Sequence, residues 1–471
     1  MVFVALANPA VVFGARSPAP ERSRPPITAL GAIVQLRGPS GCLVDRATRV
    51  RGCTPVRALR GPAPFLGSGA VAISRDGRNV YVASAASNAI AVFRRDPRAG
   101  KLTQSSGTAG CIAAKGASGC AKAIALGRPN SVAVSADGRN VYATSLSSDA
   151  VAIFHRKPST GALTQARDGS GCVAHTATPS CVTGRALDGP DVLTLSRDGK
   201  NVYVGSFVGN AVAVFARNTT TGALTQPAGA VGCIAATAIE GCATGLALGA
   251  PEGMAVSADG NDVYVGTAVS NALLVFTRNT TTGALTQATD GTGCMVDRAL
   301  AGCTTGVQLA GANAVTVSPD DGDVYVTSLT SNSVTSFTRT ASTGQLAQQP
   351  GTSACAINVL AVGCSLGRAL SAPEGIAVSP DGASVYAAAF TSGAIDVFNR
   401  NAGSGALMQK PRRAGCVTTS AAPDCTPARG LLGVSSVVVS PDGRNVYAAA
   451  FRSNAVTVFK RITKTVTRGK G

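Results

Sequence analysis

Tryptophan is absent from this 471-residue chain, and histidine occurs only twice, at His155 and His175. Two histidines leave nothing for a His-rich metal centre or for a catalytic imidazole repeated along the chain. Leu, Glu, Lys and Gln never recur at a 3.6-residue period for long enough to make an extended amphipathic helix. Beyond an apolar stretch at residues 2–15, no run approaches the roughly 18 apolar residues that a membrane helix needs. Gly-x-Ser-x-Gly, phosphate-loop and His-Glu-x-x-His motifs are missing, which removes the common serine-hydrolase, nucleotide and zinc-protease signatures. Charged residues are few, at 14%, yet the formal net charge is +18. The cations gather at the ends, Arg16 to Arg60 at the start and Lys460 to Lys470 at the finish. None of these stretches interleaves them with the aromatics on which single-stranded nucleic acid stacks. Nucleic acid is therefore not an expected partner, and the spread of charge along the chain argues against a dedicated polyanion site.

What is present suits short strands and tight turns: 45% hydrophobic residues rich in Val, Ala and Thr, with 55 glycines and 24 prolines. Residues 1–30 read as a signal-like or disordered leader, although no basic segment precedes the apolar run at 2–15. Residues 31–463 form the folded body, and residues 464–471 a basic tail.

Seven tyrosines, Tyr81, Tyr142, Tyr203, Tyr264, Tyr325, Tyr386 and Tyr447, are spaced 61 residues apart. Each ends a Ser-x-Asp-x-x-x-Val-Tyr segment and is followed twelve residues later by a phenylalanine, from Phe93 to Phe459. Six copies read Ser-x-Asp-Gly, while the fifth carries Asp320 and Asp321 before Gly322. A period of this length marks a repeat architecture. Each unit reads as four antiparallel strands: a short apolar run, an Asp-Gly hairpin turn, the Val-Tyr strand, a strand ending in Phe, and a Gly-Ala-Leu-Thr-Gln strand. Four such strands cannot bury both faces alone, so the units should pack radially as a seven-bladed β-propeller, an all-β fold. The last unit has no Gly-Ala-Leu-Thr-Gln copy, whereas residues 31–35, Gly-Ala-Ile-Val-Gln, match it. The N-terminal strand should complete the seventh blade and remove an exposed sheet edge.

Fourteen cysteines fall in pairs between the fourth strand and the next unit: Cys42 and Cys53, Cys111 and Cys120, Cys172 and Cys181, Cys233 and Cys242, Cys294 and Cys303, Cys355 and Cys364, Cys416 and Cys425. Structural zinc needs four ligands, usually at Cys-x2-4-Cys spacing, and neither condition is met. A disulfide within each connection is favoured, pairing between adjacent blades being the alternative that ring symmetry permits. Oxidised cysteines imply the periplasm, the cell surface or a secreted protein.

The segment from Val80 to Thr103, Val-Tyr-Val-Ala-Ser-x-x-Ser-Asn-Ala-Ile-Ala-Val-Phe followed by a turn and Lys-Leu-Thr, resembles the seven-bladed lactonase-like propellers and the related YVTN-type repeats. Lactonase-like enzymes open sugar lactones, and the resemblance implies His, Arg and Glu side chains in a central cleft. That set does not carry over, because neither His155 nor His175 falls on an inner strand. The position five before each first-strand Ser should instead surround the channel mouth, giving Gly69, Asn130, Asp191, Glu252, Asn313, Glu374 and Ser435. Asp191, Glu252 and Glu374, with the amides Asn130 and Asn313, could hold Ca²⁺, and no cofactor is otherwise indicated. Turn chemistry leading into a strand is the simpler account of the same residues. The expected function is an extracytoplasmic binding or scaffold protein for a protein, glycan or cell-wall polymer. A monomer without a membrane span is expected, and a 6-phosphogluconolactonase-like hydrolase is the alternative.

Overall fold

A computed structural model describes residues 29–463 apart from 63–68, 117–118, 240, 360, 421 and 423. The expected leader, all but its last two residues, and the expected tail at 464–471 lie outside the described residues. The seven sheets of the structure are the seven blades, and among the described residues the only helical turns are short 3-10 segments.

The third blade shows the pattern. Its innermost strand, Pro190–Leu195, pairs antiparallel with Asn201–Ser206, which pairs with Ala211–Arg217. The turn between the first two strands uses Ser196-Arg-Asp198-Gly199. Asp198 accepts hydrogen bonds from the Ser196 hydroxyl (2.5 Å) and the Lys200 amide (3.0 Å), and Gly199 takes φ 69°. In the fifth blade, where the glycine is shifted, Asp321 occupies the left-handed position at φ 64°.

Four strands per blade, all antiparallel, proves too few. The outer edge of Ala211–Arg217 is shared, with Leu224–Thr225 covering its end and Cys233–Ala235 covering its beginning. A sixth strand, Ala243–Thr244, lies parallel to the fifth. Every blade is thus a six-stranded mixed sheet. The cysteine segments are strands, because the free half of the third strand offers backbone donors and acceptors that must be met. Each disulfide joins the fifth strand to the turn or strand that follows it. All seven form within their own segment, from Cys42–Cys53 to Cys416–Cys425, and no cysteine is free among the described residues.

The ring closes as expected. Ile33–Gln35 pairs antiparallel with Ala455–Arg461, and Cys42–Asp45 takes the fifth position beside the same strand, followed by Thr54–Val56. The N-terminal stretch therefore supplies three strands of the seventh blade. Gln35 clamps the joint: its amide donates to the Arg429 carbonyl (3.0 Å) and its oxygen accepts from the Arg429 amide (3.0 Å).

The core lies between blades. All seven tyrosines and all seven phenylalanines of the repeat are fully buried, each phenylalanine contributing roughly 2–3 kcal/mol through burial. Tyr203, for example, packs with Val263, Val265 and Phe276 of the fourth blade.

Candidate functional site: the axial ring and its supports

In six blades the innermost strand carries a register shift at its start, between Pro190 and Val192 in the third blade and between Pro251 and Gly253 in the fourth. A bulge re-aims the residue within it, and that residue is Asn130, Asp191, Glu252, Asn313, Glu374 or Ser435. At two of these positions the following glycine is obligatory. A Cβ on Gly253 would overlap the Asn313 carbonyl, and one on Gly375 would overlap that of Ser435, so neighbouring inner strands approach at backbone distance.

These residues do come together. Asn130 donates to Asp191 across the boundary between blades two and three. Glu252 feels the charges of both Asp191, one blade away, and Glu374, two blades away, which only an axial location allows. Asn313 turns its oxygen to the Ala314 amide and the Thr327 hydroxyl. Gly69, the counterpart in the first blade, sits in the turn before Val71–Ile73.

Exposure departs from the expectation of an open mouth. The six side chains from Asn130 to Ser435 are at most 5% exposed, so the ring is a sealed layer within the wheel. Close approach of the inner strands at Gly253 and Gly375 contributes to that burial. Burial, opposed by the Asn130 hydrogen bond, raises the Asp191 carboxyl to about 7. Burial first, and then repulsion from Asp191 and Glu374, raises Glu252 to about 10. Glu252 is therefore a neutral acid at physiological pH. Among the described residues no group of three or more His, Cys, Asp or Glu side chains is placed to hold a metal ion. Ca²⁺ at Asp191, Glu252 and Glu374 would require these groups to close in and shed protons.

At the opposite end of the inner strands a cavity of about 320 Å³ is lined by Leu195, Val256 and Val317 with Thr194, Thr316 and Arg197. His155 and His175 are both exposed, on a third strand and beside a fifth strand, away from the inner strands. Asn218 and Asn279, which also fit a glycosylation pattern, turn their side chains back onto the backbone amides of their own turns.

The supports of the wheel include a residue that the sequence reading passed over. Two positions after each phenylalanine stands an arginine: Arg95, Arg156, Arg217, Arg278, Arg339, Arg400 and Arg461. Each is buried and reaches back to the preceding blade. Arg217 donates through Nε to the Tyr142 hydroxyl (2.7 Å) and through a terminal nitrogen to Asp137 (2.8 Å). Tyr142 in turn donates to the Gly222 carbonyl (2.8 Å). The Ser-x-Asp-Gly aspartate thus has two duties, one oxygen shaping its turn and the other holding the arginine of the next blade. Burial pushes the Tyr142 and Tyr203 hydroxyls up to about 12, so they remain protonated donors. The signal was in the sequence, as an arginine repeated with the same sevenfold spacing as the tyrosine.

Among known proteins, the profile of the lactonase, 7-bladed β-propeller family matches residues 54–184 and 295–421. The chain belongs to the lactonase family of seven-bladed β-propellers. No curated protein matches its sequence. Solved structures similar to this lactonase-family propeller include a candidate 6-phosphogluconolactonase from Bacteroides uniformis, 20% identical, with TM-score 0.51 over 72% of this chain and 82% of that one. The periplasmic gluconolactonase of Pseudomonas aeruginosa is 18% identical, with TM-score 0.51 over 85% of this chain and 96% of its own. The hydrazine synthase of Kuenenia stuttgartiensis is 18% identical, with TM-score 0.53 over 88% of this chain and 100% of its own. Likeness at this level concerns the fold, which unrelated activities share.

Proposed function

We propose that this lactonase-family propeller is an extracytoplasmic binding protein that presents its surface to a glycan or other polymer. The observation that carries this reading is the sealing of the axial ring. The acids that converge on the axis, Asp191, Glu252 and Glu374, are buried at 0–5% exposure, whereas a hydrolytic acid or base must come within hydrogen-bond reach of its substrate. Seven disulfides support a compartment outside the reducing cytoplasm. Among the described residues no helix is long and apolar enough to cross a membrane.

Family membership favours a second reading, a sugar-lactone hydrolase. The two part in one assay: gluconolactone and 6-phosphogluconolactone incubated with the protein, with and without Ca²⁺. The binding reading expects ring opening at the spontaneous rate. Turnover above it that is lost on Glu252→Gln would establish the hydrolase and bring the axial ring into catalysis.

A further inference from the structure

Two cations of the basic N-terminal stretch, Arg46 and Arg57, are brought by the fold to one groove with Lys101 of blade one. Cys42–Asp45 and Thr54–Val56 form the outer edge of blade seven, and the fourth strand of blade one, Leu102–Gln104, lies across the seam from them. Between the two runs a groove of about 810 Å³. Arg46, Arg57 and Lys101 all line it. Arg46 and Lys101 are exposed. The Arg57 guanidinium is fixed in place by the backbone carbonyls of Gly119, Ser105 and Gly107 at 2.9–3.3 Å. Asp45, beside Arg46, is buried, its two oxygens accepting from the Ala47 and Leu59 amides, and Asp96, exposed across the turn from Lys101, turns one oxygen back to the Arg98 and Ala99 amides.

The wheel supplies its own controls. Six other seams have residues at the same three repeat positions, and none has more than one cation there. The counterparts of Arg46, Arg57 and Lys101 are Thr237, Leu246 and Ala284 at one seam, and Thr176, Arg185 and Ala223 at another. Three converging cations therefore do not follow from the repeat. The lining also includes Ser and Thr hydroxyls at Ser40, Thr103 and Ser106, over an apolar floor of Leu43, Val56 and Leu102 with Pro39 and Pro55. Hydroxyls and aliphatic surface suit the polar edges and CH faces of a sugar, and the cations suit carboxylates spaced along it. No lining residue is an aromatic platform of the kind that bases stack upon.

We infer that the seam between blades seven and one is a binding groove for an acidic glycan, a polysaccharide carrying carboxylates. This rests on the binding reading above and gives it a ligand class and a place. The test is titration of polygalacturonate, with neutral dextran and inorganic polyphosphate in parallel, at low and at physiological salt. Wild type is compared with Arg46→Glu/Lys101→Glu and with a control of equal charge change on exposed turns elsewhere, Arg139→Glu/Lys200→Glu. The groove variant should bind polygalacturonate at least about tenfold more weakly and with a shallower salt dependence, while the control keeps its affinity. Equal losses in both variants would mean attraction by net charge alone and would overturn the site. Polyphosphate bound as tightly as polygalacturonate would overturn the glycan assignment. Dextran binding unaffected by either variant would overturn the groove but leave the binding reading standing, whereas lactone turnover by the wild type would overturn the binding reading itself. Circular dichroism of each variant shows whether the fold is kept.

Discussion

The outer parts of the blades and the axis of this wheel obey different rules. Between blades the same contact is made seven times: a buried arginine bonded to the tyrosine and the turn aspartate of its neighbour, as in Arg95 with Tyr447 and Asp442 or Arg278 with Tyr203 and Asp198. Along the axis the repeat lapses, and the equivalent position reads Gly69, Asn130, Asp191, Glu252, Asn313, Glu374, Ser435. Residues that repeat hold the architecture, because each solves the same packing problem. Residues that depart from the repeat are where one blade is made to differ from another, and the basic seam groove is a second such departure.

The comparison is broken most severely at the repeated contact. Arg217→Ala removes a buried guanidinium that bonds Tyr142, the Gly199 carbonyl and the part-exposed Asp137, and the unmet carbonyl together with the void left behind should cost about 3–4 kcal/mol in urea denaturation. Removing one staple with Cys172→Ser/Cys181→Ser should cost less, about 2–3 kcal/mol, because it frees only a short loop in the unfolded chain. A loss as large as that of the arginine variant would mean that the outer strands, not the interblade contact, dominate.

At the axis the sign should reverse. Glu252 is ordinarily ionised above the usual carboxylate range, but in the fold it holds its proton up to about 10. The folded state thus binds the proton more tightly than the unfolded chain, and the stability this gives is complete in acid and is lost as pH rises towards 10. Asp191 contributes in the same sense, with its loss complete near pH 7. Glu252→Gln should flatten this slope and raise the melting temperature at pH 9, by about 2 °C for each kcal/mol relieved in a chain of this size. A fall at every pH would show the carboxyl to be needed in its native form. The smallest expected effect is with Ca²⁺. Should the ring accept the ion, calorimetric titration at pH 7 would show proton release, because Glu252 must ionise first. Absence of heat at millimolar Ca²⁺ would end the Ca²⁺ proposal.

Much of the fold could be read from the sequence, because its determinants are local and repeated. Tyr and Phe at fixed spacing, Asp-Gly turns, cysteine pairs and the displaced Gly-Ala-Ile-Val-Gln each state their role within a few residues. The fifth and sixth strands were missed because they are two to four residues long in most blades, too short to show alternation, and they exist only where the third strand leaves backbone groups unmet. Sealing of the axial ring depends on how closely Gly253 and Gly375 let inner strands approach, a distance between blades that no single repeat encodes. The arginines were legible but unread, since one more cation in a basic chain draws no notice until its partner is in view. The seam groove was hidden for the opposite reason: Arg46 and Lys101 are 55 residues apart in sequence and line one groove only after the ring has closed.

Closure is the claim on which the groove, the clamp of Gln35 and the completeness of blade seven all depend. Hydrogen exchange measures it directly, by comparing Ala455–Arg461 in blade seven with Ala211–Arg217 in blade three. With the N-terminal strands in place, the two segments should show protection of the same order. Rapid exchange confined to Ala455–Arg461, as expected of an uncovered edge strand, would contradict the closed wheel.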